Sequence, residues 1–394
     1  MIYLDNSATT RPYDEVIERM TELMKNEYGN PSSLYTFGIK ALEIIEQARR
    51  TIAGTLPPGG RIVFTSGGTE SDNMAIFSAV RKNRRNGRRI ITTAAEHPAV
   101  TEACRRLAED GWDVVYVPTD AEGVMELSAF EEALNEETIL VTAMAVNNET
   151  GAIMPVPEAY RIVQEYNKKH GTKILFHCDA VQAYGKLDLR EAPFDMISAS
   201  AHKFHGPKGV GFLYVKKGVV LPPHLLGGGQ ESGYRSGTEN VPGIAGMAVA
   251  AARAAGHTEE TAAHTEKLGE TLLRILTESL DDVRVNGPRE AGRSLKDAGK
   301  RCPSVLNLSF LKTRGEVLLH TLERDEIFVS TGSACSSHKT GDSKVLQAMG
   351  MNHREIEGAL RFSFSEQNTE EEIREAAAKV VEAVQAFRRL GSFR

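Results

Sequence analysis

The run RIVFTS leads straight into GGTESDNMAIF, so Gly67, Gly68 and Thr69 stand where a strand-like segment turns into a helical one. Unpaired backbone N–H groups at such a turn converge on one point, and the helix dipole adds positive potential, which suits a phosphate. A purely steric use of glycine in a tight turn is the alternative. In SAHKFHGPKG, Lys203 follows the apolar run MISA and is flanked by Ser200 and His202. Lysine is almost never fully buried unless paired or functional, and loss of water lowers its pKa toward the free amine that a Schiff base requires. Lys208, behind Gly206 and Pro207, reads as an ordinary lysine reaching solvent. In HCDAVQAYGK, Asp179 closes another apolar run, with Gln182 three residues on. A carboxylate there faces the crevice at the carboxyl ends of parallel strands and needs a cationic partner. The protonated ring nitrogen of pyridoxal 5′-phosphate (PLP) is one such partner; capping a helix is the other use of an aspartate at this position.

Two more strand-like runs end in polar residues. His97 precedes a proline in AAEHPAV, and Asn148 lies in VNNETG. Each alone reads equally as a hydrogen-bonded structural residue or a turn residue. A glycine loop, a lysine, an aspartate and a histidine on one rim are together the stronger sign of a site. Cys335 sits in STGSACSS, among small residues that neither anchor a segment in a core nor stiffen it, which predicts a mobile loop and an accessible thiol. Cys104, Cys178 and Cys302 read as inert buried cysteines. The four cysteines form no C-x-x-C pair, so no metal site is expected, and SGGTES lacks the GK[ST] ending of a nucleotide-binding P-loop.

These residues need a sheet to position them. Strands are expected at 61–66, 90–94, 114–118, 139–146, 174–178, 196–199 and 210–215, several apolar throughout, alternating with helical patterns. That alternation predicts an α/β fold with a mostly parallel sheet flanked by helices. After the Gly/Pro-rich stretch 221–242 comes an Ala-rich helical pattern, then mixed signals that read as a smaller α+β domain. The division is 15–254 for the large domain, with 1–14 and 255–394 forming the small one that carries the cysteine loop. Thr369 and Glu372 form a capping box ahead of Ile373, Ala377, Val380, Val384 and Phe387 at helical spacing. The run RKNRRNGRR at 81–89 reads first as a solvated helix end, with docking of an acidic partner or RNA as the alternative. With 47 basic against 53 acidic residues among 394, the chain does not have the charge of a dedicated nucleic-acid or anionic-membrane binder. No secretory or membrane-spanning segment is seen, and sparse cysteines fit a reducing cytoplasm.

An ordered series of motifs, YLDNSATT, GNPSS, SGGTESDN, EHPAV, VNNETG, HCDAVQ, SAHKFHGPKG, GGGQESGYRSGTEN, STGSACSS and LRFSFSEQNTEEE, resembles the NifS/IscS-like cysteine desulfurases. These belong to the class V aminotransferase group of fold-type I PLP enzymes. The resemblance implies Lys203 as the lysine that binds PLP covalently, Asp179 on the pyridinium nitrogen, Gln182 on the phenolic oxygen and His97 over the ring. It implies Gly68, Thr69, Ser200 and His202 around the phosphate, with Thr238 arriving from the second subunit of a homodimer. Asn148 and Arg361 would bind the carboxylate of L-cysteine, and the apolar neighbours of Arg361 speak against a surface ion pair. Cys335 would take the sulfur as a persulfide, release alanine, and pass the sulfur to an acceptor protein for iron–sulfur cluster assembly or for tRNA or cofactor thiolation. The SGSAC form is similar to the long-loop branch, and His338 and Lys339 stand where they could lower the thiol pKa. The compressed PPGG at 57–60 and the basic run depart from the pattern without touching a cofactor position. The alternatives are a selenocysteine lyase or a small-substrate aminotransferase on the same scaffold, and a noncatalytic iron–sulfur scaffold.

Overall fold

The computed structural model describes residues 1–331, 342–389 and 391. A short strand β1 (Ile2–Tyr3) and helices α1 (Asp14–Asn26) and α2 (Thr36–Ala53) precede an alternating series. That series is β2 (Arg61–Thr65), α3 (Gly68–Asn83), β3 (Arg89–Thr93), α4 (Pro98–Glu109), β4 (Asp113–Val117), α5 (Leu127–Ala133), β5 (Thr138–Met144), α6 (Val156–His170), β6 (Leu175–Asp179), β7 (Met196–Ser200) and β8 (Gly211–Val215). All seven strands expected from the sequence form, each within two residues of its expected bounds.

They make one sheet in the order β2-β8-β7-β6-β5-β3-β4. Every neighbour pair is parallel except those of β8, which runs antiparallel to both β2 and β7. Central strands β5, β7 and β8 are buried along their whole length, as strands covered on both faces must be. Edge strand β4 keeps mostly half-exposed residues. The parallel strands therefore point their carboxyl ends to one side, where the polar residues singled out in the sequence stand.

Asn240 caps α7 (Val241–Ser279) by accepting the Gly243 N–H, and Pro242 occupies its first turn. This 39-residue helix packs Val241, Ile244 and Met247 into the large-sheet core, and Leu268, Leu272 and Leu276 into a second core. The second core lies against β9 (Val283–Val285), β10 (Val305–Phe310), α8 (Gly315–Arg324), β11 (Ile327–Phe328), β12 (Ala359–Ser363) and α11 (Glu370–Arg389), while the short helices α9 (Lys344–Ala348) and α10 (His353–Glu357) pack Val345, Leu346 and Ile356 into the large-sheet core. Strands β12-β10-β9 form an antiparallel sheet, and β1 pairs in parallel with β11. The expected capping box is realised, because Glu372 N–H donates to Thr369 Oγ1 and Thr369 N–H to Glu372 Oε2. Such a cap is worth about 1 kcal/mol, while the buried face Ile373, Ala377, Val380 and Val384 supplies the packing.

The basic run ends α3 and forms the turn into β3. Arg81 and Lys82 donate to the carbonyls of Pro223 and Val220, and Arg89 pairs with Asp113. It is a solvated helix end, tied to its neighbours. Among the described residues no helix is long and apolar enough to cross a membrane.

Candidate active site

A cavity of about 260 Å³ opens at the carboxyl ends of β2, β3, β5, β6 and β7. Its lining includes Gly68, Thr69, His97, Asn148, Asp179, Gln182, Ser200, His202, Lys203 and Arg361. Of the described residues expected at the site, only Thr238 lies elsewhere: it is exposed, in the loop before α7. Cys335, with His338 and Lys339, lies outside the described residues. Cys104, Cys178 and Cys302 are buried, and burial pushes the Cys104 thiol up to about 12 and the Cys178 thiol well above its usual range. Neither can serve as a nucleophile near neutral pH.

The β2–α3 turn is built for close approach. A Cβ at Gly211 would stand 2.8 Å from Gly67 Cα, and one at Gly68 would stand 2.7 Å from Val181 Cγ2, so the loop fits against β8 and the β6 exit only as glycine. No side chain caps α3. Its first N–H groups, with the hydroxyl of Ser200 and the imidazole of His202 on the neighbouring strand exit, make an end of the cavity suited to an anion. His202 Nδ1 lies 3.2 Å from Thr9 Oγ1, and burial with nearby Lys203 lowers its pKa to about 4, so it acts there as a neutral hydrogen-bonding group.

The opposite chemistry sits at the β6 exit. One oxygen of Asp179 accepts the Val181 N–H at 2.9 Å, as the capping reading expects, yet the residue also lines the cavity. Burial raises its pKa to about 6, against the pull of that N–H and of the Lys203 charge. Behind it lie two more buried carboxyls. Burial and the charge of Asp179 hold Asp72 well above the usual range, and burial takes Glu96 up to about 8. Glu96 is therefore protonated at neutral pH, and burial favours the proton on Asp72 as well, against the ionised Asp179 beside it. His177, 3.6 Å from Asp72 and with its pKa lowered to about 3 by burial, is neutral, so this contact is not an ion pair. His177 instead bridges Thr142 and Ser198, at 2.8 Å each, and stiffens the floor beneath Asp179.

Glu96 makes stability depend on pH with a definite sign. Its folded pKa, about 8, exceeds the ordinary carboxyl value of 4.5, so the stabilisation is complete below pH 4.5 and is lost as pH rises toward 8. Depressed His97 and His177 act oppositely, but only below pH 6.5. Oε1 of Glu96 accepts from Thr93 Oγ1 and Met144 N–H, while buried Oε2 has no partner among the described residues, so glutamine reproduces the protonated acid. We expect Glu96→Gln to gain about 2 kcal/mol over the wild type between pH 6.5 and 8, from 1.4 kcal/mol per pH unit. Urea unfolding of the cofactor-free protein at the two pH values measures this, and a difference independent of pH contradicts the assignment.

His97 caps α4 through Nδ1, which accepts the Ala99 N–H at 3.1 Å. Burial and Lys203 lower its pKa to about 4, so the ring is neutral and carries its proton on Nε2. Lys203 Nζ donates to the carbonyls of Ser7 (2.6 Å) and Ala8 (2.8 Å), which holds the amine at the cavity wall. Arg361, on β12, is buried and reaches across from the second sheet. Its Nη2 pairs with Asp5 Oδ1 at 2.6 Å, its Nη1 donates to Asn148 O at 2.9 Å, and buried Nε has no partner among the described residues. Asn148 does lie in the turn after β5, while the side chain that ties this turn together is Asn147's, whose Oδ1 accepts the N–H groups of Glu149 and Thr150.

Sequence reasoning assigned no role to Ser7, Ala8, Asp72, Glu96 or Glu149. Ser7 and Ala8 act through backbone carbonyls, which leave no residue-type signal. The acids had one: Glu96 directly precedes His97, and Asp72 lies one helical turn beyond Gly68. PLP fits this cavity on chemistry: an anion cradle, a lysine amine, and a buried carboxylate short of a cationic partner. Among the described residues no cluster of three or more His, Cys, Asp and Glu is placed to hold a metal ion.

Comparison with known proteins adds an independent line. The family model described as Aminotransferase class-V matches residues 2–375. A cysteine desulfurase IscS of Clostridium botulinum is 40% identical over 375 residues, covering 94% of this chain and 91% of that protein. A solved structure described as a NifS-like protein superposes with a TM-score of 0.88 at 40% identity, over 98% of this chain and 99% of its own. Another, described as SspA in complex with cysteine, gives 0.78 at 32% identity, over 94% and 100%.

Proposed function

The chain belongs to the class V aminotransferase family, among its NifS/IscS-like cysteine desulfurases, and we propose that it takes sulfur from L-cysteine using PLP held by Lys203, leaving alanine and a persulfide on Cys335. The observation that carries this reading is the single cavity joining Lys203, Asp179, the α3 N-terminus and Arg361. When bound, PLP supplies an electron sink for negative charge developing on the substrate Cα. Gly68, Thr69, Ser200 and His202 hold its phosphate, Asp179 its ring nitrogen, Gln182 its phenolic oxygen, and His97 its ring. The proton that Glu96 keeps, and the raised pKa of Asp72, ease the negative charge that Asp179 carries in this role.

Arg361 and Asn148 hold the substrate carboxylate. The Asp5 and Asn148 contacts fix the guanidinium plane in advance, and Nε, without a partner among the described residues, is a donor left for an anion. Lys203, once exchanged for the substrate amine, is the free base that takes the Cα proton. The Cys335 thiolate then attacks the substrate sulfur. An S–S bond forms as the C–S bond breaks, its electron pair passes to carbon, and protonation of that carbon together with return of the Lys203-held proton to Cα yields alanine.

Homodimerisation is part of the same reading. Thr238 is exposed in a loop that, with the middle and end of α2, lines a groove near Leu42, and exposed Tyr28, Leu34, Tyr35, Leu225 and Leu226 give this region an apolar surface. A partner seated there receives Thr238 at its phosphate cradle. The large-domain and small-domain division at 254/255 is supported by the two cores that α7 joins. The fate of the persulfide is transfer to an acceptor protein in the cytoplasm. Incubating the purified protein with L-cysteine and a reducing thiol tests the activity: alanine and sulfide in equal amounts are expected, and pyruvate or a keto-acid product in their place contradicts the reading.

A further inference from the structure

Gln182 is oriented by a residue that the reaction does not otherwise use. Gly185, at φ +80° and packed where a Cβ would stand 2.6 Å from Phe204 Cβ, turns the chain sharply after Gln182. The turn closes with Lys186 N–H on Ala183 O and brings the half-buried Lys186 ammonium back to Gln182. Lys186 Nζ donates to Gln182 Oε1 at 2.7 Å, and Gln182 Nε2 donates to Ser7 O at 2.8 Å. An ammonium has donors only, so it can face only the oxygen of an amide. With Oε1 committed to Lys186 and one N–H to Ser7, the remaining amide N–H is the group Gln182 has left to offer the cavity it lines. The reverse rotamer would set nitrogen against the ammonium and Oε1 against the Ser7 carbonyl, two repulsive contacts in a buried place.

We propose that Lys186 is a positioning residue that locks Gln182 with its N–H toward the bound cofactor's phenolic oxygen. This rests on the reading of the cavity as a PLP site. The ammonium also polarises the amide, which strengthens its N–H as a donor to an oxygen carrying negative charge. A hydrogen bond of this kind is worth roughly tenfold in binding.

The test uses the full-length protein stripped of cofactor and reconstituted with PLP. Readouts are the PLP dissociation constant and the ratio of the absorption bands of the resting, substrate-free holoprotein. Lys186→Met is expected to weaken PLP about tenfold and change the band ratio, Lys186→Arg to stay within about twofold of wild type, and Lys186→Met on a Gln182→Met background to add less than about twofold. Lys186→Leu carries the same comparison if the methionine variant does not fold. Wild-type values in Lys186→Met, or an undiminished effect without Gln182, overturn the proposal. Failure of the wild type to take up PLP overturns the cofactor reading itself, and this role with it.

Discussion

Replacing Cys335 by serine should lower alanine formation from L-cysteine by about three orders of magnitude or more, while PLP binding and the spectral response to cysteine stay within about twofold of wild type. The reasoning is one of nucleophilicity. A serine hydroxyl is almost entirely protonated at neutral pH, whereas a thiol has an accessible thiolate and an affinity for sulfur. No other described cysteine can substitute, because Cys104, Cys178 and Cys302 are buried, and the first two have thiols driven far toward the neutral form. Binding is spared because the described residues of the cavity already supply the groups for cofactor and substrate carboxylate. Assays of alanine alongside absorbance spectra separate the two effects. Retained alanine formation would transfer the chemistry to a lyase of the selenocysteine-lyase kind, which needs no sulfur-carrying thiol.

Lys203→Ala should lose at least as much, for a different reason. The variant keeps the anion cradle and Asp179, so PLP still binds, but borohydride no longer fixes it to the protein. Alanine formation falls by about three orders of magnitude or more, because both the covalent attachment and the base for the Cα proton are gone. A small primary amine in the buffer should restore part of the rate, since it can stand in for the missing base. The substitution also removes the Lys203 donors to the Ser7 and Ala8 carbonyls and the charge that lowers the pKa values of His97, His202 and Asp179. Unchanged borohydride trapping would place the attachment on another lysine.

The large sheet was legible because its strands are short apolar runs ending in polar residues, and a strand buried on both faces has to look that way. The reversal of β8 was not read, although only ten residues separate Ser200 from Gly211, too few for a parallel crossover. Site residues at strand ends were legible for the same reason: their types are costly to bury, so Asp179 and Lys203 signal a partner. Arg361 needed the resemblance, since a lone arginine in an apolar strand gives no indication of which cavity it enters. The β10–β12 pairing and its contacts with Asp5 and Asn148 supply that. The N-terminal carbonyls were illegible in principle, because any sequence provides carbonyls, and only folding brings Ser7 to within hydrogen-bonding reach of both Gln182 and Lys203.

The buried acids show how the site divides its labour. Three carboxyls lie close under one cavity, and burial ensures that they cannot all ionise. Glu96 holds its proton and burial favours one on Asp72, which eases the charge that Asp179 carries toward a pyridinium nitrogen. Glu96→Gln and Lys186→Met probe two sides of this support, the first through stability and the second through cofactor binding.

Mass spectrometry of the peptide containing Cys335, after one turnover with a single equivalent of L-cysteine and without added thiol, bears most directly on the central claim. The account predicts that this peptide gains one sulfur atom in step with the alanine released. Alanine released with Cys335 unmodified, or the extra sulfur found on Cys104, Cys178 or Cys302, would contradict it.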